Sequence, residues 1–109
     1  MLILVTAKLS DEELSRAAED FDGYIKVVVD IERRILAAGG KKHTDGEALL
    51  LENGSRQEHL WGGGLDLKTG AVDSDSMINI RPRQGNPSHE VLDAGTRATM
   101  EEIIRNLLR

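Results

Sequence analysis

Three consecutive valines, Val27 to Val29, lie within the stretch Tyr24 to Ile31. β-Branched side chains are stiff in a helix and pack well on a pleated surface, so residues 24–31 read as a strand. A second apolar run, residues 34–39, follows directly after the turn Glu32-Arg33-Arg34 and ends at Gly39-Gly40. Two strands with no helix between them pair as an antiparallel hairpin. The competing reading is one helix from Asp30 to Ala38, because Ile31, Ile35 and Ala38 also share a helical face. Valine density favours strand before Asp30, and periodicity alone leaves the remainder open.

The other elements frame this hairpin. Residues 2–6 are almost unbroken apolar and read as a strand buried on both faces. Ser10 with Glu13 forms a capping box, and Leu9 with Leu14 a hydrophobic staple. The helix they open places Leu14, Ala17, Ala18 and Phe21 on one face and stops at Gly23. Thr44 with Glu47 suggests a second capping box, for a short helix ending at Asn53-Gly54. Residues 55–64 are polar and then glycine-rich, with Gly62-Gly-Gly64 read as a flexible or tightly turned run. Leu65-Asp-Leu is a short strand, and residues 75–81 a last one, with Ile78 and Ile80 on one face and Met77, Asn79 and Arg81 on the other. Pro82 and Pro87 bracket a rigid loop. Met100, Ile103, Ile104, Leu107 and Leu108 make one stripe of a terminal helix. The order β-α-β-β-α-β-β-α defines a single compact α+β domain over residues 1–109. Its sheet is mainly antiparallel, with helices packed mostly on one face.

A chain of 109 residues folds to a surface of about 6,000 Å², enough for a modest core without covalent staples. Only Phe21, Tyr24 and Trp61 are aromatic, so that core must be aliphatic. The chain has no cysteine, which excludes disulfides, thiolate metal sites and cysteine nucleophiles. Its apolar runs are far too short for a membrane span, and its first residues lack the layout of a signal peptide. The expected location is therefore cytoplasmic. Fourteen basic against nineteen acidic residues give a net charge of −5, which disfavours non-specific nucleic-acid binding. Arg33, Arg34, Lys41 and Lys42 form a local basic cluster that reads as a solvated hairpin edge.

Chemistry can reside in three places. His43-Thr-Asp-Gly-Glu47 with Glu58-His59 offers imidazoles and carboxylates for proton transfer. Helix capping explains most of the first group, and the spacing matches no established metal signature, so no metal is assigned. Gly54-Ser-Arg-Gln-Glu-His-Leu-Trp-Gly62 concentrates Arg56, Gln57, Glu58 and His59 beside Trp61. Trp61 can anchor a ligand or plug the core, and core is the commoner fate of tryptophan. Asn79-Ile-Arg-Pro-Arg-Gln-Gly-Asn86 brings Asn79, Arg81, Arg83, Gln84 and Asn86, whose guanidinium forks suit carboxylate or phosphate. Its arginines can equally pair with Asp73, Asp75 or Glu90. His43, His59 or His89 as acid and base, with Arg81 on a phosphate, would supply the parts of a ribonuclease-like site, although nothing in the sequence places them together.

Val28-Val-Asp-Ile-Glu-Arg-Arg-Ile-Leu-Ala-Ala-Gly-Gly, His43, the stretch Glu47 to Gly62 and the stretch Asp75 to Asn86 together resemble a family of small prokaryotic proteins catalogued as a domain of unknown function. The resemblance runs from about Gly23 to the terminal helix. It implies that the segments around His59-Trp61 and Arg81-Asn86 belong to the family pattern, and it names no activity. Arg34 stands where that pattern has glycine, and Gly62-Gly-Gly-Leu-Asp-Leu replaces a more apolar strand.

The expectation is a binding or protein-interaction module without cofactor, taking a small anionic ligand or a protein partner on a face that joins residues 56–61, residues 79–86 and His43. The terminal helix serves as core, with a homodimer seam as the alternative. The competing functions are a small metal-independent hydrolase or nuclease using His and Arg residues, and, from size alone, a toxin–antitoxin component.

Overall fold

A computed structural model describes all 109 residues and answers the hairpin question first. Strand β2 (Tyr24–Asp30) turns back into β3 (Ile35–Ala38), with Val27 opposite Ala38 and Asp30 opposite Ile35. No helix spans residues 30–38. Asp30 builds the turn: its Oδ1 accepts the Glu32 and Arg33 N–H groups at 3.0 and 2.9 Å. Its Oδ2 accepts the Ser55 hydroxyl at 2.7 Å, so this fully buried carboxylate is bonded on both oxygens. Arg34 closes the turn at φ 57°, the left-handed region that favours glycine.

The remaining elements are β1 (Ile3–Val5), α1 (Asp11–Ala17), α2 (His43–Glu52), β4 (Leu60–Asp66), β5 (Val72–Asp73) and α3 (Ala94–Leu107), with four short 3₁₀ turns. The element order is the expected one. The five strands form one antiparallel sheet in the order β1-β3-β2-β4-β5. Helix α1 links β1 to β2 across β3, and α2 links β3 to β4 across β2. Both crossovers step the same way along the sheet, but their strands run in opposite directions. Crossovers of one hand must then lie on opposite faces. Accordingly Leu14 and Ala17 of α1 pack with Ile25, Val27, Val29 and Leu36, while Leu50 of α2 packs with Val28, Ala37 and Leu60 on the reverse side. Helix α3 joins the first face through Met100, Ile103, Ile104 and Leu108. Two of three helices therefore share a face, and the stripe of α3 is core of its own chain. The accessible surface is 5878 Å². No helix is long and apolar enough to cross a membrane.

Local signals held where capping chemistry was complete. The Ser10–Glu13 box forms, with Glu13 N–H on Ser10 Oγ at 3.2 Å and Ser10 N–H on Glu13 Oε1 at 3.0 Å. The Thr44–Glu47 box does not: α2 starts two residues earlier, at His43, capped by Lys42 without a side-chain bond. Phe21 is 40 % exposed because α1 ends at Ala17 and its helical phase is lost. Gly62 to Gly64 is a strand rather than a turn. A side chain at Gly64 would meet the Tyr24 hydroxyl at 1.9 Å, one at Gly63 the Asp73 carbonyl at 2.2 Å, and one at Gly62 the Ser76 Cβ at 2.5 Å. Neighbours fill the room that side chains would take. Residues 75–81 do not form a strand: β5 is shorter and earlier, and Met77–Asn79 is a 3₁₀ turn.

Candidate functional site

Strand β4 pairs with β5 only at Gly64 and Leu65, so its first half has no neighbouring strand on that edge. Side chains take the strand's place. Gly62 N–H donates to Asn79 Oδ1 at 2.8 Å, and Asn79 Nδ2 donates to the Gly62 carbonyl at 2.9 Å. The same amide reaches the Ser74 and His89 carbonyls, both at 3.1 Å. Asn86 repeats the device one layer out. Its Nδ2 donates to the carbonyls of Asn79, Ser88 and Glu90, and its Oδ1 accepts Leu92 N–H. Asn79 and Asn86 were both candidate ligand contacts. They are 0 % and 4 % exposed and their amides bond within the chain, so neither faces a ligand.

Arg81 continues the edge two residues on. Its Nη1 donates to the Gln57 carbonyl at 2.7 Å and to Gln84 Oε1 at 3.2 Å, and its Nη2 to the Leu60 carbonyl. Its guanidinium carbon lies 3.8 Å from the centre of the Trp61 ring, a cation–π stack. Gln84 Nε2 donates to the Glu58 carbonyl at 3.1 Å. The segments 56–61 and 79–86 therefore meet. Trp61 is 7 % exposed, a core residue that also carries the arginine. Burial pushes the Arg81 pKa down, and the Glu47 carboxylate opposes this. Arg81 Nε and Glu47 Oε2 are both buried and both lack a hydrogen-bond partner, a complementary donor and acceptor of the kind a bound water satisfies. Around Arg81, an open hollow of about 380 Å³ is lined by Gln57, Pro82, Arg83 and Gln84. Arg83 is exposed and makes no ion pair, whereas Arg56 pairs with Glu58 at 3.1 Å on open surface. His59 is half-buried, and its contribution to the chain is a backbone one, its carbonyl accepting Ile31 N–H.

His43 is not part of this junction. It lines a second cleft of about 620 Å³ with Tyr24, Lys26, Asp73, Asp75, Ser76, Met77 and His89. Its Nε2 bonds the Gly63 carbonyl at 2.7 Å, and burial lowers its pKa from the ordinary 6.5. Tyr24 donates its hydroxyl to Asp73 Oδ2 at 2.7 Å; burial first and then that carboxylate hold the phenol far above its usual range. His89 Nδ1 bonds Asp75 Oδ1. Sequence reasoning missed Tyr24, Lys26 and Asp73 here. Tyr24 and Lys26 alternate with Ile25 and Val27 along β2, a period-2 signal that places both polar residues on one face. No group of three or more His, Asp and Glu side chains converges to hold a metal ion.

The fold defines an α+β domain with an antiparallel sheet, and these two hollows lie beside its half-open strand β4. The chain belongs to the family described as Protein of unknown function (DUF5674), whose model matches residues 3–107. That span takes in β1 and α1 as well as both polar segments. No curated protein and no solved structure matches the chain.

Proposed function

We propose that the protein is a cytoplasmic binding module that takes an anionic group, a phosphate or carboxylate, at the junction of residues 56–61 and 79–86. The observation that carries this is the state of Arg81. Three of its N–H groups are met by neutral oxygens and its face by an indole, so no carboxylate in hydrogen-bond contact neutralises it. Arg83 stands beside it in the same hollow without an acidic partner. The unpaired fork of Arg83, beside the charge of Arg81, suits planar anionic oxygens. The stacked indole gives the site its own reporter. Absence of cysteine fits a reducing compartment.

The test is an NMR titration with inorganic phosphate and with succinate, following the Trp61 indole and the arginine side-chain resonances. Saturable shifts confined to residues 56–61 and 79–86, weakened by salt and by Arg83→Ala, support the reading. No saturable shift with either anion, or shifts unchanged by Arg83→Ala, overturns it.

A further inference from the structure

The second cleft holds two imidazoles whose free nitrogens are of opposite kinds. A carbonyl only accepts, so His43 Nε2 carries the proton given to Gly63, and Nδ1 is left as an unbonded lone pair. A carboxylate also only accepts, so His89 Nδ1 carries the proton given to Asp75, and Nε2 has no hydrogen-bond partner within the chain. Burial keeps His43 neutral at neutral pH. Asp73 holds the arrangement in register by accepting both the Tyr24 hydroxyl and, at 3.1 Å, the Asp75 N–H. Lys26 lines the same cleft from β2, with its Nζ 5.0 Å from the centre of the Phe21 ring.

We propose that this cleft cleaves short ribonucleotide phosphodiesters by transesterification, with His43 as base, His89 as acid and Lys26 on the phosphate oxygens. His43 Nδ1 takes the proton of a ribose 2′-hydroxyl, and the oxygen's electron pair forms the new O–P bond. The bond from phosphorus to the 5′-oxygen breaks with its pair on that oxygen, which receives the proton of His89 Nε2. The products are a 2′,3′-cyclic phosphate and a 5′-hydroxyl. The net proton passes from His89 to His43 and returns through water, with no external nucleophile or oxidant.

Three features select this chemistry. The His89 and Asp75 side chains are 57 % and 53 % exposed, and such openness suits a charged, solvated phosphodiester better than a carbanion that needs a dry site. The reaction requires only a proton acceptor, a proton donor and a cation, all present. The facing charges are Lys26 against Asp73 and Asp75, with His89 bonded to Asp75 and Tyr24 neutral, so the cleft carries no excess of positive charge. On a chain of net charge −5 this favours short substrates over long polyanions.

The experiment incubates the purified protein with a mixed-sequence ribohexanucleotide and with its 2′-deoxy copy, and reads products by chromatography and ³¹P NMR. The expected result is a cyclic phosphate from the ribo form alone, with His43→Gln and His89→Gln each slowing its formation about 100-fold or more. Glutamine at 43 keeps an N–H for the Gly63 carbonyl. His89 lies on the surface, so its variant reads out even where His43→Gln fails to fold. Absence of cyclic phosphate from the unmodified protein overturns the proposal. So does cleavage that survives undiminished in His89→Gln, which marks a contaminating nuclease.

Discussion

Replacing Asn79 by alanine removes the side chain that substitutes for a missing strand. Bonds in an antiparallel pair alternate in direction along a strand. Gly62 turns its N–H and C=O toward Asn79, away from β2, so both groups depend on that amide. The other two acceptors are less exposed to its loss. The Ser74 carbonyl also accepts Val91 N–H, and the His89 carbonyl also accepts Ser76 N–H. The cost is therefore set by two buried backbone groups left without partners. At about 1–3 kcal/mol for each, partly relieved by entering water, Asn79→Ala should lose about 2–5 kcal/mol. That is a large share of the roughly 5–15 kcal/mol that holds a domain together. Asn79→Asp sharpens the test. It keeps the acceptor for Gly62 N–H but points a carboxylate at the carbonyls of Gly62, Ser74 and His89. It should be at least as damaging at neutral pH and recover as pH falls, because the protonated acid can donate once. The assay is urea unfolding of the three proteins, with hydrogen exchange at the Gly62 amide. A loss below about 1 kcal/mol in Asn79→Ala, or unchanged exchange at Gly62, refutes the reasoning.

Three further outcomes are expected. Gly64→Ala would set a methyl 1.9 Å from the Tyr24 hydroxyl, so it should cost about 1–3 kcal/mol in thermal unfolding, and Tyr24→Ala should cost less in that background than alone. Arg34→Gly relieves a left-handed φ worth about 1 kcal/mol but gives up an exposed ion pair to Glu102. Made in a Glu102→Gln background, it should raise the unfolding midpoint, and a fall would sink the strain argument. His43 titrates at 6.5 when unfolded and lower when folded, so the folded chain binds fewer protons. Its stabilising contribution is complete above that value and is lost as pH falls through the folded pKa. The stability of the parent relative to His43→Gln should therefore decline on acidification, and parallel curves would refute the buried-imidazole account.

The sequence carried the element order because its strongest signals are local: the Ser10–Glu13 cap, the valines of β2, and the stripe of α3. It misplaced the elements whose geometry depends on distant neighbours. Gly62 to Gly64 reads as a turn, since a strand without side chains leaves no alternation to detect. Its strand character comes from Tyr24, Ser76 and the Asp73 backbone filling the vacated space. Residues 75–81 show the alternation of a strand, Ile78 and Ile80 against Asn79 and Arg81. The alternating polar pair does bond the edge of β4, through an amide and a guanidinium rather than through backbone. The same patterning thus served two structures, and only the sheet decided between them. Of the site residues, Arg81, Gln57, Glu58, Gln84 and Trp61 converge as their concentration in two short segments suggested. His43 went to a different hollow because a helix N-terminus, not loop composition, fixes its position. The pairing of His43 with His89 and Lys26 was not legible, since it joins α2, β2 and a loop far apart in the chain.

Both hollows exist because β5 is too short to cover β4. An uncovered edge is a template for aggregation unless something blocks it. Here the block is polar: Asn79 on Gly62 and Arg81 on Leu60. A buried amide and a half-buried cation must bring their own hydrogen-bond partners, and this draws residues 56–61 and 84–86 into contact around them. The segment that blocks the edge also carries Asp75 and Ser76 at one end and Arg83 at the other, the rims of the two hollows. A variant that loosens the block without unfolding the chain should therefore disturb both hollows together. In Asn79→Ala at low denaturant, the resonances of the Trp61 indole and of the His89 ring should broaden or shift in concert. Change confined to one of them would mean that the hollows are independent, and that the edge is held by more than the Asn79 amide.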